Sequence, residues 1–354
     1  RELPSLVLTR QGGPGAQAFV PQGDRWLRTD DSGHAISRDA EGWFLADISG
    51  NRLGAPVPSS GSDAAAALRE TPPEGCWELA DGRHQLALLP PAALQAARAA
   101  EVLRPWGDWL DHLETIMGPL KGLVYDIGCG AGTFASRLVS EREDVSVVGV
   151  DVDPVATAAA KLACPAGRFR TADAGRLHEW PADAGTASGV WATFVSAHFP
   201  HSSLKKALVE WKWLLRPGGW MFLVDLQGLW SVHRPMDPQW ARQFRDLDED
   251  LADTAKIDPF VGKRLVELCH KTGLEVLDQQ EWTDMEFVFN GQGNEQQLAL
   301  WRARLQSPAT KALFAKRFRD FAKQGQEVLL QCLRSPEHTT RGKVTVLVCC
   351  KPNK

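Results

Sequence analysis

The chain has 354 residues, long for one compact domain and comfortable for two. Hydrophobic residues make up 44% and charged residues 24%, the balance of an ordinary soluble globular protein. No run nears the roughly 18 apolar residues of a membrane span, and the net charge of −4, without a Lys/Arg run, disfavours a polynucleotide substrate. Seven cysteines without a CxxC pair fit neither a zinc site nor a disulfide framework, and point to reduced thiols in a cytoplasmic protein. The N-terminus, which begins without Met, lacks the apolar core of a signal peptide. Tryptophan is abundant, 14 against a single tyrosine, which suits a large core or a pocket for flat or cationic ligands.

In chain order, residues 1–90 alternate short apolar runs ("SLVLTR", "AFVP", "WLRT", "GWFLADISGN", "CWELADGRHQLALL") with Gly, Pro, Ser and Asp clusters. They read as a small β-rich accessory domain, with "GAPVPSSGSDAAAALRETPPEG" as a loop. Residues 91–121 read as linker or cover helices, interrupted near Pro105. From Gly122 strand and helix alternate: "GLVYDIG", "GTFASRLVSERE", "VSVVGVDVD", "PVATAAAKLAC", "GRFRTAD", "SGVWATFVSAHF", "SSLKKALVEWKWLL" and "WMFLVDL". Such alternation means a mostly parallel sheet covered by helices on both faces. Beyond it the rhythm loosens. The sequence places lid insertions at about 226–258 and 284–340, separated by a helix in "FVGKRLVELCHKTG" and a strand in "LEVLDQQEWTD", and ends on the strand "KVTVLVCCK".

The stretch "VYDIGCGAGTF" carries Asp126, Gly128, Gly130 and Gly132. The dinucleotide fingerprint is G-x-G-x-x-G; here the last glycine comes one place early. Asp151 closes the next strand and is placed to bind a ribose diol. No Lys-Ser/Thr follows the loop. A nucleoside ligand is therefore expected, not a bare phosphate.

Five ordered motifs, "VYDIGCGAGTF", "VVGVDVDP", "RTADA", "VWATFVSAHFPH" and "LLRPGGWMFLVD", resemble those of class I S-adenosylmethionine-dependent methyltransferases, over roughly residues 105–290 and the final strand. The tail "DPFVGKRLVELCHKTGLEVL" is similar to the small-molecule enzymes related to the ubiquinone and menaquinone methyltransferases. The resemblance implies a Rossmann-like seven-stranded sheet with helical lid insertions over residues 122–354, beside the β-rich N-terminal domain. It implies S-adenosylmethionine as cofactor and S-adenosylhomocysteine as product. Gly128 and Gly130 would let the loop pass beneath the cofactor, and Asp126 would support the loop and the methionine ammonium. Asp151 would take the ribose hydroxyls, Val152 pack on the adenine, Asp173 accept from the adenine amino group beside the Ala174 amide, and Ala192 and Thr193 meet the methionine part. Tyr125 departs from the usual aliphatic residue. Asp173 as an N-cap and Thr193 as a core residue stay open as alternatives.

Methyl transfer needs a proton acceptor only where the methylated atom must lose a proton. His198 in "SAHFPH" and His233 in "LWSVHRPMDPQW" are the candidate bases, with backbone bonding the alternative for His198; Asp225 could meet a substrate amine or cap the next segment. Trp230, Trp240 and Trp282 are candidate substrate-binding residues, each equally readable as core; no metal is implied. The expected partner is a small molecule, in natural-product biosynthesis, with neither nucleic acid nor membrane. The N-terminal domain is a candidate homodimer or carrier contact. One alternative keeps the cofactor but uses it non-consumptively, for cyclisation, decarboxylation or hydroxylation. A nicotinamide oxidoreductase is disfavoured by the early third glycine and by Asp173.

Overall fold

The computed structural model describes the strands within residues 5–89 as backbone. From residue 104 it describes all positions except 180–182, 200, 254–256, 283–286, 307, 319–321 and 354. The chain divides into two compact units: residues 1–98 with 129–173, and residues 99–128 with 174–354.

In the first unit seven short strands, β1 (Ser5–Arg10), β2 (Ala16–Gln22), β3 (Arg25–Arg28), β4 (Ala35–Asp39), β5 (Gly42–Ala46), β6 (Gly75–Glu78) and β7 (His84–Leu89), pair antiparallel in the order β5-β4-β3-β2-β1-β7-β6. The loop expected between β5 and β6 lies outside the described residues, as does the segment 90–103. The same unit holds β9 (Val145–Asp151), paired in parallel with β10 (Arg168–Thr171), and the helices α2 (Thr133–Glu141) and α3 (Pro154–Ala163). Helix α3 runs beside both β9 and β10 and also beside β1, β2, β6 and β7. Its Ala-rich sequence lets backbones approach closely.

The second seven-stranded sheet has the order β10-β9-β8-β11-β12-β16-β14. Its remaining strands are β8 (Gly122–Ile127), β11 (Ala187–Thr193), β12 (Leu215–Leu226), β14 (Glu275–Trp282) and β16 (Val344–Cys350). Strand β11 pairs in parallel with β8 and β12, whereas β16 runs antiparallel between β12 and β14. Every residue of β11 is buried, as a central parallel strand requires, and the edge strand β14 has none that is fully buried. Helix α1 (Trp106–Met117) lays Trp106, Trp109, Leu110 and Leu113 inward. Trp109 meets Trp191 of β11 and Phe222 of β12, which stack on each other at 4.2 Å. Of the four tryptophans that the sequence places in the core, Trp191, Trp211 and Trp220 are buried and Trp213 is only partly buried; Tyr125 is buried in β8.

Both insertions contain helices. Helix α5 (Pro238–Asp253) buries Ala241, Phe244, Leu247 and Leu251, one stripe at helical spacing. The second insertion supplies α7 (Glu295–Gln306), α8 (Pro308–Phe318) and α9 (Ala322–Arg334). A two-residue ladder joins the insertions, β13 (His233–Arg234) against β15 (Thr339–Thr340). Around it Phe244 meets Phe314 and Phe318 at 5.9 and 5.4 Å, and Trp230 meets Trp301 and Phe314 at 5.7 and 5.5 Å. Arg317 of α8 pairs with Asp246 and Asp250 of α5. Residues some 70 positions apart in sequence, such as Phe244 and Phe314, thus share one aromatic core.

Phe244 is wholly buried in that core. Phe244→Ala is expected to cost about 3–5 kcal/mol, read as a lower urea midpoint at unchanged m-value. A change below about 1 kcal/mol would mean that the two insertions do not share a packed core.

Candidate active site

In the first unit the glycine loop is tied to Asp151. The Gly130 N–H donates to Asp151 Oδ2 at 2.9 Å, and the Asp153 N–H donates to Oδ1 at 2.9 Å. A carboxylate offers about four lone-pair sites, so this half-buried group keeps acceptor capacity for a diol. Val152, next along the chain, is 74% exposed, an apolar side chain left uncovered. Asp173 is exposed beyond the end of β10. Gly132, in the left-handed region at φ 79°, opens α2, and a Cβ there would lie 2.8 Å from the Ala160 backbone.

In the second unit Asp126 is buried near the end of β8, in register with Trp191, one step before the Ala192–Ile127 pair. Gly128 has φ 67°, and a Cβ there would come within 2.7 Å of Val195. Gly128 and Gly132 are therefore glycines for the packing of the loop as well as for any ligand above it. Ala192 and Thr193 are buried at the end of β11, and the Ala174 carbonyl accepts the Trp211 indole N–H at 2.9 Å.

Phe194 follows with φ 57°, a conformation that costs a non-glycine residue about 1–3 kcal/mol. It is held by its N–H to the Val224 carbonyl at 2.7 Å. The next turn, Ser196–His198, is clamped from two sides. Asp225, at the end of β12, accepts the Ala197 N–H at 3.2 Å and the Leu226 N–H at 2.9 Å, and the Asp258 N–H donates to the Ala197 carbonyl at 2.8 Å. Asp225 is completely buried, and burial pushes its carboxyl up to about 7 against the lowering effect of these N–H groups. Of the two roles open to Asp225 from sequence, the structure shows a cap. Asp248 of α5 does the same for the first insertion: it accepts the Trp230 and Ser231 N–H groups, and burial raises its carboxyl to about 6.

His198 sits exposed at the end of the clamped turn. His233 is wholly buried, with its Nδ1 3.0 Å from Nε2 of His338 and its ring edge-on to Trp301. His338 Nδ1 lies 3.2 Å from the Gly291 carbonyl, which can only accept, so His338 carries a proton there. Burial and the neighbouring His338 bring His233 down to about 3, so it stays a neutral imidazole. Trp230 is buried in the core of the insertions, Trp240 is partly exposed beside Phe244 and Phe318, and Trp282 lies apart from both, at the end of β14 near His112.

Residues 124–219 match the family model described as a methyltransferase domain. The strand order β10-β9-β8-β11-β12-β16-β14, with β16 antiparallel, accompanies that match. Over residues 124–219 the chain therefore carries a methyltransferase domain. No curated protein sequence matches it significantly. Among solved structures it is similar to the [4+2]-cyclase SpnF, with 16% identity, 70% of this chain and 81% of that chain covered, and a TM-score of 0.44. It is similar to phosphoethanolamine N-methyltransferase 2 of Haemonchus contortus in complex with S-adenosyl-L-methionine (18%, 78% and 64%, 0.47), and to a sarcosine dimethylglycine methyltransferase, so designated provisionally, of Galdieria sulphuraria (17%, 71% and 86%, 0.46).

The methyltransferase domain implies S-adenosylmethionine as cofactor, and two features fit it: an accepting carboxylate at Asp151 and an uncovered apolar side chain at Val152. The sequence reading did not single out Arg104, Phe194, Phe287, Arg304, Asp248 or His338. Only the "WRARL" run, with Trp301 and Arg304 one helical turn apart, carried a signal. No helix among the described residues is long and apolar enough to cross a membrane, and they contain no cluster of metal-ligating side chains.

Folded Asp225 holds its proton up to about pH 7, whereas the unperturbed group titrates near 3.8. The stability linked to it is full below the lower value and declines as pH rises to the upper one. The melting temperature of the native chain relative to Asp225→Asn is expected to fall between these values and to level off above them. A difference that stays constant with pH would show the carboxylate ionised in the fold.

Proposed function

We propose that this chain transfers the methyl group of S-adenosylmethionine to a small-molecule acceptor. The observation that carries the reading is the bond from the Gly130 N–H to Asp151, which joins the glycine loop to the carboxylate suited to a ribose. In this reading Gly128 and Gly130 lie beneath the cofactor and Asp126 supports the loop. Asp151 accepts the ribose hydroxyls on its remaining lone pairs and Val152 covers the adenine. Asp173 and the Ala174 amide meet the adenine edge, and Ala192 and Thr193 line the methionine part.

When bound, S-adenosylmethionine supplies a methyl group on a positively charged sulfur. The chain must add orientation, exclusion of water and, for a protic acceptor, a place for the proton. The aromatic core shared by the two insertions supports a small acceptor, since it builds a cap in the same unit as the ends of β11 and β12. His198 is the proposed base: it is exposed, and Asp225 fixes the turn that bears it. His233 is the weaker candidate, because its burial and its bond to His338 assign it to the β13–β15 junction. Trp240, partly exposed in the cap, is the proposed substrate contact among the three tryptophans.

Two measurements test the reading. Calorimetry should show S-adenosylhomocysteine binding, weakened at least about tenfold by Asp151→Asn, equivalent to about 1.4 kcal/mol. Incubation of methyl-labelled S-adenosylmethionine with a small-molecule extract should move the label into one compound, with S-adenosylhomocysteine released in equal amount. His198→Ala should slow that transfer by about a hundredfold at unchanged cofactor affinity. Cofactor that binds but is never consumed would replace the transferase by the non-consumptive alternative.

A further inference from the structure

The seven N-terminal strands hold none of the proposed site residues, yet they share one compact unit with Gly130, Asp151, Val152 and α3. Helix α3 joins the two parts. Its first turn grows out of the Asp151 carboxylate: the Asp153 N–H donates to Asp151 Oδ1, and the Asp153 carbonyl accepts the Thr157 N–H at 3.1 Å. Its inner side is already occupied. The Thr157 hydroxyl lies 2.6 Å from that of Thr171 on β10, and Ala160 is the residue that a Cβ on Gly132 would strike at the start of α2. Successive residues of a helix stand about 100° apart, so Ala158 and Leu162 point away from both contacts. A helix that covers one face of a sheet ordinarily shows that side to water. Here Ala158 is only 2% exposed and Leu162 only partly exposed. With β9, β10 and α2 on the inner side, the cover comes from the other strands beside α3, namely β1, β2, β6 and β7. The run "ATAAA", residues 156–160, suits a helix enclosed on both sides, since methyl side chains let backbone approach all round.

We propose that the N-terminal sheet is the outer layer of the cofactor's adenine half, and that its folding and the binding of S-adenosylmethionine are one linked equilibrium. This rests on the reading of Asp151 and Val152 as the ribose and adenine contacts, and it gives the strands within residues 5–89 a part in controlling that site. Helix α3 has ten residues, fewer than a helix needs to hold by itself in water, so its order depends on what packs against it. Opening of the sheet would bare Ala158 and Leu162 to water. It would also loosen the Asp151–Asp153 segment, whose backbone runs directly into the first turn of α3. A ligand that needs Asp151 and Val152 in place is then lost with the sheet. Linkage is reciprocal: a ligand bound only by the closed form holds the sheet shut to the extent of its own binding free energy.

The test is hydrogen exchange of the full chain, read by mass spectrometry with and without S-adenosylhomocysteine. At about 100 times its dissociation constant the ligand slows any opening that abolishes binding by about a hundredfold. Amides of β1, β2 and β7 are expected to slow by about tenfold or more, together with those of α3. Two substitutions should weaken the link from opposite ends. Asp151→Asn, at the same ligand concentration, should shrink the slowing in β1, β2 and β7 in step with its loss of affinity. Ala158→Arg changes none of the proposed cofactor contacts. It should nonetheless speed exchange in the sheet and weaken S-adenosylhomocysteine binding about fivefold or more in calorimetry. If the arginine variant does not fold, Ala158→Val should act in the same direction by about twofold. Slowing confined to α3 and the glycine loop, or an Ala158 variant that loosens the sheet at unaltered ligand affinity, would overturn the inference and leave the cofactor reading intact. Failure of the native chain to bind S-adenosylhomocysteine would overturn the reading on which the inference stands.

Discussion

The buried carboxyl of Asp225 is the point on which the acceptor side of this molecule depends. It lies at the end of β12 with no exposure to solvent, and it receives the N–H groups of Ala197 and Leu226. A carboxyl so placed resists ionisation, yet the two N–H groups would be orphaned without it. Around that anchor the chain leaves β11 through a strained Phe194, turns at Ser196–His198 and enters α4 (His201–Leu214). Asp258 closes the other side of the turn by donating to the Ala197 carbonyl, and its own carboxylate pairs with Arg264. The exposed imidazole of His198 and the ring of Phe194 are thus borne on backbone fixed from beneath.

The insertions follow the same economy of polar groups. Asp248, buried on the inner face of α5, satisfies two N–H groups at Trp230 and Ser231, and the His233–His338 pair satisfies the Gly291 carbonyl. Charge is left to the margins of the aromatic core, where Arg104 and Arg304 rest on ring faces and Arg317 pairs with Asp246 and Asp250. A cap built this way is apolar inside, with Trp230, Phe244, Trp301 and Phe314 buried in it.

Some of this was legible in the residues themselves. The early third glycine, preceded by Asp126 and followed by Asp151 and Asp173, pointed to a nucleoside ligand, because each strand end bears one acidic residue and the strands alternate with helices of readable period. The seven strands of the second sheet fall where β-branched and apolar runs place them. The stripe of Ala241, Phe244, Leu247 and Leu251 in α5 was also present in the sequence, within a segment read only as an insertion. His233 showed no sign of its burial, since a histidine in a loop-like run has the same signature whether it faces solvent or His338. The left-handed Phe194 carried no signal either: phenylalanine disfavours that conformation, and only the bond to Val224 and the rings around it hold it there.

The sequence alone indicated the sheet and a nucleoside ligand, because these rest on local spacing: a strand, a tight loop and an acidic residue at the next strand's end; the resemblance of its five motifs to class I methyltransferases then implied the cofactor. The tertiary structure decided the surroundings of the remaining polar residues. It made Asp225 a cap, closed His233 away, left His198 exposed, and brought Arg104 and Arg304 to neighbouring rings from positions 200 residues apart. The reason is that burial and long-range packing set whether a polar group is spent on holding the fold or remains to meet a ligand, and neither quantity is encoded in any short stretch of chain.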